Sequence, residues 1–253
     1  MKLLLSTLIS IFYYSVLFSQ SLHFKNYSLQ DGLAQSQVYA LAQDQKGLLW
    51  IGTQGGGINL FDGSSLETID KSNGLKNLYI NALKPANDKM LVGTDRGLFV
   101  FNSPFETPQR SLKNETISCI NNGNEMFYIG TEEGIFTSKD LKQYQKIYPG
   151  DYEFIETYND TTYATSSHFV LKIYKGDILD KINLKQVRYI FPYHDNLLAI
   201  TYSQGLYDLT SKKLLCNDPI LNGSLCGTSL TDSSCWIGTL RNGLIELNGS
   251  TII

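Results

Sequence analysis

The residues best suited to ligand binding follow a short phrase that recurs along the chain, an apolar run that ends in Gly-Thr in four of its six copies and in Ala-Thr or Ile-Thr in the other two. The residues after this phrase are chemically mixed: Gln54, Asp95, Arg96, Glu132, Glu133, His168, Tyr202, Gln204, Arg241 and Asn242. Gathered on one rim, such groups would suit a sugar, especially a charged one, because tyrosine can stack on a ring and arginine can pair with a carboxylate. We therefore predict a ligand-binding rim; the alternative is that each is simply a polar, solvated loop tip.

Catalytic chemistry has weaker support in the same sequence. Glu132 and Glu133 are adjacent in a predicted loop tip, where their side chains diverge, so an acid and base pair would need a partner from another repeat. His23, His168 and His194 share no motif with metal-ligand spacing. No nucleophile elbow or phosphate loop occurs. We therefore predict a protein that is not an enzyme and has no metal or cofactor; an enzyme built on the same repeats, such as a lyase, is an alternative.

The repeated phrase also identifies the elements that must position these residues. Its central position is occupied in turn by Gly52, Gly93, Gly130, Ala164, Ile200 and Gly238. A period of about 40 residues, with four short apolar runs in the first unit, is typical of a β-propeller blade. We predict an all-β fold, a β-propeller of four-stranded antiparallel blades. The six visible repeats fall approximately at residues 34–72, 76–112, 115–150, 153–184, 187–222 and 224–253.

The end of the sixth repeat leaves the closure of the ring open to two interpretations. Only three strand-like runs are clear there, so its fourth strand is missing or rudimentary. Residues 22–29 precede the first repeat and belong to no blade. They could supply the outer strand and close a six-bladed ring, which would remove an exposed sheet edge. The alternative is a truncated seven-bladed ring.

The first nineteen residues differ in character from the rest. Lys2 supplies a positive charge, residues 3–18 form a largely apolar run, and residues 19–21 are small or polar, which is typical of a secretory signal peptide. The run is shorter than the roughly 20 residues that a membrane-spanning helix needs. We predict a cleaved signal peptide at 1–19, a propeller domain at 20–253 and a periplasmic or secreted location; a retained anchor is the alternative.

Charge and the larger side chains add further expectations. A net charge of −3 gives no basic footprint, so we predict no nucleic-acid partner. Trp50 and Trp236 precede the repeated Ile-Gly-Thr and should pack between neighbouring blades. Cys119 and Cys226 occupy nearly the same place in repeats three and six, on predicted first strands. An exported chain permits disulfides, and the pairing of the four cysteines stays open; for Cys119 we favour a buried free thiol.

The first repeat also carries a family resemblance. The sequence Tyr-Ser-Leu-Gln-Asp-Gly-Leu at 27–33, Trp-Ile-Gly-Thr at 50–53, the glycine pair at 56–57 and Phe-Asp-Gly at 61–63 resemble the first repeat of two-component regulator propeller proteins. The match is specific in the first repeat, fair in repeats two, three and six, and faint in four and five.

This resemblance implies a sensory role. In that family such repeats form the extracytoplasmic sensor of bacterial histidine kinases and hybrid two-component systems, many of which detect polysaccharide breakdown products. The sequence contains no kinase histidine box, nucleotide lid or receiver domain. We therefore expect a truncated or stand-alone ligand-sensing module for an oligosaccharide or similar small molecule, with a membrane sensor kinase or a second copy as its partner. A protein-binding scaffold is the alternative.

Overall fold

The fold is a β-propeller of six four-stranded antiparallel blades, as the repeats predict. The computed structural model describes residues 25–123, 125–229, 234–248 and 251–252. Within each blade the four strands are hydrogen-bonded in chain order. Among the described residues no helix is long and apolar enough to cross a membrane. The predicted signal peptide lies outside the described residues.

The first three blades contain β1 to β12. Blade one consists of β1 Val38–Gln43, β2 Leu49–Thr53, β3 Ile58–Phe61 and β4 Leu66–Ile69. Blade two consists of β5 Ile80–Ala86, β6 Lys89–Thr94, β7 Gly97–Phe101 and β8 Gln109–Ser111. Blade three consists of β9 Ile117–Gly123, β10 Met126–Thr131, β11 Gly134–Ser138 and β12 Gln145–Pro149.

The last three blades contain β13 to β24. Blade four consists of β13 Phe154–Tyr158, β14 Thr161–Thr165, β15 Val170–Tyr174 and β16 Asp177–Ile182. Blade five consists of β17 Val187–Tyr193, β18 Asn196–Thr201, β19 Leu206–Asp208 and β20 Lys213–Cys216. Blade six consists of β21 Ser224–Ser229, β22 Ser234–Thr239, β23 Gly243–Asn248 and β24 Thr251–Ile252.

In the part of the chain that the structure describes, three short 3₁₀ turns precede first strands, at Leu29–Asp31, Lys71–Asn73 and Pro219–Leu221. The first two are built alike. In each, a capping residue, Ser28 or Asp70, accepts a hydrogen bond from a backbone N–H of the turn, and a left-handed glycine ends it, Gly32 at φ 102° or Gly74 at φ 87°. Glycine adopts this backbone conformation without the steric cost of a Cβ. The repeat therefore includes the connection between blades as well as the strands.

The hydrophobic core is divided among the junctions between consecutive blades. Separate buried clusters join blades one and two, two and three, three and four, four and five, and five and six. Trp50 belongs to the first of these; it is 2% exposed and its ring meets that of Phe101 at a centroid distance of 5.6 Å. Its predicted place between blades is confirmed. Trp236, at the equivalent place in blade six, is only half-buried.

The predicted closure by the N-terminal segment does not form in the part of it that the structure describes. Residues 25–28 are in no sheet, and Leu29 begins a 3₁₀ turn. Tyr27 packs edge-on against Phe61 of blade one, at 5.0 Å between ring centroids. The fourth strand of blade six is instead the two-residue β24, which pairs with β23. Residues 22–24 lie outside the described part of the chain.

The four cysteines are free thiols in this structure. Cys119 and Cys226 lie on the first strands of blades three and six, as predicted, and each pairs with the repeated glycine of its blade, Gly130 or Gly238. Cys119 is buried as expected, and burial raises the pKa of its thiol. Cys226, at the same place in the sheet, is exposed.

Candidate functional site

The loops that carry the predicted binding residues lie at one end of the propeller. The last residue of each second strand pairs with the start of the first strand, as in Val38 with Thr53 and Ile80 with Thr94. The loops between second and third strands and the entries to first strands therefore share one end of the blades. We call this end the rim; the turns between first and second strands lie at the opposite end.

A hydroxyl side chain fixes each rim loop. The threonine that ends the repeated phrase donates its Oγ1 hydrogen bond to a glycine carbonyl at the far side of the loop. The pairs are Thr53 with Gly57, Thr94 with Gly97, Thr131 with Gly134, Thr201 with Gly205 and Thr239 with Gly243, at 2.7 to 3.0 Å. The first four threonines are fully buried. These bonds hold the rim loops on a rigid scaffold.

In blade four the equivalent hydroxyl bond begins one residue later than the sequence predicts. There Ser166 Oγ donates to the Phe169 carbonyl at 3.2 Å, and Thr165, not Ala164, pairs with the first residue of the third strand, Val170. Ala164 faces the cluster shared with blade three. The faint repeat in this blade was therefore aligned one residue too early, because serine had replaced threonine and no glycine marked the position.

The structure places all ten predicted residues on rim loops. Eight are exposed: Asp95, Arg96, Glu132, Glu133, His168, Tyr202, Arg241 and Asn242. Gln54 and Gln204 are half-buried. Within the described chain, no hydrogen bond joins the side chains of any two of the ten. They form a circle of separate groups, and any shared ligand would have to touch several blades.

Several of these side chains are held by neighbours in the structure. Asp95 Oδ1 accepts a hydrogen bond from Asn81 Nδ2 at 2.9 Å. Asn242 Nδ2 donates to the Ile220 carbonyl at 2.7 Å. His168 Nδ1 lies 2.7 Å from the Ser167 hydroxyl. These contacts orient individual groups without linking one loop tip to the next.

One group of rim residues does join two blades, and sequence reasoning missed two of its three members. Arg188, on the first strand of blade five, forms an ion pair with Glu153, just before the first strand of blade four. The Arg188 guanidinium carbon lies 5.5 Å from the centroid of the Tyr202 ring. Arg188 lies at the start of a first strand and Glu153 lies just before one, so neither follows the repeated phrase. The pairing of the first two strands could have indicated them, because it brings the start of each first strand to the rim.

Acidic groups collect beside this pair. Burial raises the pKa of Asp151, and the nearby carboxylates of Glu153 and Glu132 raise it further. On the first strand of blade four, burial also raises the pKa of Glu156, while the charge of Lys84 from blade two opposes the shift. Arg188 is thus paired with Glu153, one member of this acidic group. Among the described residues, no group of three or more His, Cys, Asp or Glu residues could hold a metal ion.

A pocket of about 260 Å³ lies at the opposite end of the propeller, between blades one and two. Its lining includes Asp44, Trp50, Asp88, Met90 and Phe101. The Trp50 indole N–H donates to Asp44 Oδ2 at 3.0 Å, which ties the turn of blade one to the buried tryptophan. This pocket contains none of the ten predicted site residues.

The six sheets and the clamped loops define the chain as a β-propeller built on a repeated blade. Residues 32–55 match the family model described as two component regulator propeller, so the chain carries a repeat of that family and the resemblance in the first repeat is confirmed. No curated protein matches the chain.

Solved structures share the fold. The extracellular domain of a putative hybrid two-component system of B. thetaiotaomicron is 18% identical, with a TM-score of 0.71 over 88% of this chain and 35% of that one. PorZ, a surface component of the type-IX secretion system of Porphyromonas gingivalis, is 15% identical, with a TM-score of 0.62 over 91% and 33%. YCF48 of Cyanidioschyzon merolae is 11% identical, with a TM-score of 0.64 over 87% and 85%.

These comparisons relate the chain to propeller modules, and at such identities the structural likeness shows the fold. The chain spans about a third of the length of the B. thetaiotaomicron and P. gingivalis structures. The chain is therefore a propeller module that carries a repeat of the two-component regulator propeller family.

Proposed function

We propose that the chain is an extracytoplasmic ligand-binding module of a two-component signalling system, without catalytic activity of its own. Its rim would recognise an oligosaccharide or a similar small ligand. The bound ligand would alter contacts with a membrane sensor kinase or with a second copy of the chain. The family repeat and the relationship to an extracellular two-component domain support the signalling part of this proposal.

The observation that carries the ligand-binding part is the group formed by Arg188, Tyr202 and Glu153. It joins blades four and five at the rim, and it places a cation beside an aromatic ring that is 38% exposed. An exposed ring can stack on a sugar, and a guanidinium can bind a sugar carboxylate through two parallel hydrogen bonds. The hydroxyl clamp of Thr201 fixes the loop that carries the ring, so little ordering would be needed on binding.

Calorimetric titration of the chain with a panel of neutral and uronate-containing oligosaccharides tests this site. The Tyr202→Ala change should weaken binding of the recognised sugar about tenfold, which corresponds to roughly 1.4 kcal/mol. Tyr174→Ala is the matched control. Tyr174 is 41% exposed and has Lys175 Nζ 5.4 Å from its ring centroid, but it lies at the opposite end of its blade.

Equal losses in the two variants would contradict a rim site. Binding of a protein partner that Arg96→Glu abolishes, with no sugar bound by the parent chain, would favour the scaffold alternative. Cleavage of one of the oligosaccharides, detected by mass spectrometry, would favour an enzyme.

A further inference from the structure

The residue that directly follows each hydroxyl clamp has the same place on the rim loop of its blade. It is Gln54, Asp95, Glu132 and Ser167 in blades one to four, Tyr202 in blade five and Leu240 in blade six. The N–H groups of Gln54, Tyr202 and Leu240 each donate to the residue before the first strand of their own blade, at 2.9 to 3.0 Å. This position is therefore polar in the first four blades and aromatic or aliphatic in the last two.

Tyr202 and Leu240 are neighbours across the boundary between blades five and six. The Gly223 N–H donates to the Tyr202 carbonyl at 2.8 Å, and the Leu240 N–H donates to the Gly223 carbonyl at 2.9 Å. A Cβ added to Gly223 would lie 3.6 Å from the Leu240 Cβ. Ile220 lies beside them, because its carbonyl accepts a hydrogen bond from Asn242 of the loop that carries Leu240. The two loop tips and Ile220 are therefore joined by backbone contacts at the rim.

The three apolar side chains reach solvent together. Leu240 is 61% exposed, Tyr202 is 38% exposed and Ile220 is 37% exposed. We call these three residues the apolar patch. Two arginines adjoin it: the Arg188 guanidinium carbon lies 5.5 Å from the centroid of the Tyr202 ring, and Arg241 follows Leu240 in the chain. Within the described part of the chain, Arg241 forms no ion pair.

The size of the patch limits what can cover it. A stable protein–protein interface uses about 20–30 residues on each side, whereas this patch has three side chains and the equivalent tips of the first four blades are polar. A single alkyl or acyl chain needs no larger surface, and its removal from water favours binding. The patch therefore fits an apolar substituent of a small ligand better than it fits a protein.

We propose that the ligand of the rim is a sugar that carries an alkyl or acyl substituent. Leu240 and Ile220 contact the substituent, while Tyr202 stacks on the sugar ring. The adjoining arginines favour a negatively charged sugar, because a guanidinium pairs with a carboxylate. This inference rests on the proposed sugar site, and it adds the class of ligand and two further binding residues.

Calorimetric titration with four glycosides tests the inference. The probes are the methyl and octyl β-glucuronides and the methyl and octyl β-glucosides, each used below its micelle concentration. The parent chain should bind each octyl glycoside at least about tenfold more tightly than its methyl counterpart, because the longer chain covers the apolar patch. The glucuronides should bind more tightly than the glucosides, because they bring a carboxylate to the arginines.

Substitutions at exposed leucines locate the octyl chain. Leu240→Ser should remove most of the octyl gain, whereas Leu240→Met keeps an apolar side chain and should retain it. Leu179→Ser is the matched control, since Leu179 is 57% exposed but lies on the fourth strand of blade four. The octyl gain should persist in this control. These exposed positions contribute little to stability, so all three variants should melt close to the parent chain.

The outcomes separate this inference from the proposed sugar site. Equal affinities of the parent chain for methyl and octyl glycosides would overturn the inference and leave the sugar site standing. An octyl gain that survives Leu240→Ser, or that Leu179→Ser reduces equally, would also overturn it, because the chain would then bind elsewhere. If the parent chain binds none of the four glycosides, the inference and the sugar site both fail.

Discussion

The same types of residue lie at equivalent positions in the junction between blades one and two and on the outer flank of blade six. Only the junction buries them. Trp50, Gly52 and Ile58 are covered by the following sheet, whereas Trp236, Gly238 and Leu244 occupy the equivalent positions with no such cover. The backbone pairing is the same in both places. The repeated phrase therefore determines the strand pairing of a blade, whereas the neighbouring blade determines how much each residue contributes to stability.

The largest contrast is expected for the two tryptophans. Trp50→Ala should lower the free energy of unfolding by about 3–5 kcal/mol, because it removes a fully packed aromatic side chain and leaves a cavity. Trp236→Ala should cost less than half as much, since that ring is half-buried. Urea unfolding followed by circular dichroism measures both. Equal losses would mean that the flank of blade six is as well packed as the first junction.

The aliphatic pair should differ almost as strongly. Ile58→Ala is expected to cost about 2–5 kcal/mol, and Leu244→Ala to stay within about 0.5 kcal/mol, as for most exposed positions. Both variants remove a side chain from the first residues of a third strand, so local strand propensity changes similarly. A loss above 2 kcal/mol for Leu244→Ala would show that Leu244 is packed as closely as Ile58.

The repeated glycines allow the reverse change, in which a methyl group is added instead of removed. Gly52→Ala puts a Cβ 2.6 Å from Ile80 Cγ2, and such overpacking costs about 1–3 kcal/mol. Gly238→Ala would meet only Cys226 Sγ, at 2.8 Å. In a Cys226→Ala background, therefore, Gly238→Ala should be neutral by thermal unfolding. A large loss there would reveal an unrecognised neighbour of blade six.

The hydroxyl clamps should show a smaller difference. Thr94→Val keeps the shape of the side chain but leaves the Gly97 carbonyl without the buried Thr94 hydroxyl bond, at a cost of about 1–2 kcal/mol. Thr239→Val, at a clamp that water can reach, should cost less because water can replace the hydroxyl. Denaturant midpoints of the two variants give the comparison. A larger loss at Thr239 would contradict it.

Glu156 provides the smallest effect and one that depends on pH. Burial raises the pKa of this carboxyl, so the folded state holds the proton more tightly than the unfolded state. Its contribution is therefore most favourable below the unfolded pKa and is lost as pH rises through the folded pKa. Glu156→Gln should raise the melting temperature at pH 7, and this advantage should disappear near pH 4. A gain that is the same at both pH values would exclude ionisation as its cause.

The sequence was sufficient for the architecture because each blade contains its own strands, turns and repeated phrase. Gly52, Gly93 and Gly130 were found from spacing alone, and the positions of Trp50 and Cys119 followed from it. The blade-four register failed where local identity was lost, at Ala164 and Thr165. Contacts between blades were harder to predict, because Arg188 and Glu153 are far apart in the chain and meet only after neighbouring sheets pack.

The sequence left the closure of the ring open to two interpretations, and it could not decide between them for a physical reason. Leu244 and Leu41 read as ordinary interior residues of a strand, since burial depends on whether another sheet is present and the alternation of residue types is the same in either case. Likewise, residues 22–29 were predicted to supply an outer strand because they belong to no blade. The capping contacts of Ser28 with Asp31 favour a turn instead.

The hydroxyl clamps allow the rim loops to vary in sequence and length. The same bond closes loops in which donor and acceptor residues are three positions apart, as at Thr94, and four apart, as at Thr201. Tip residues can therefore be exchanged, or one inserted, without altering the strands on either side. The chemistry of the rim can therefore change while the fold is preserved, and the rim offers six separately replaceable loops for engineering.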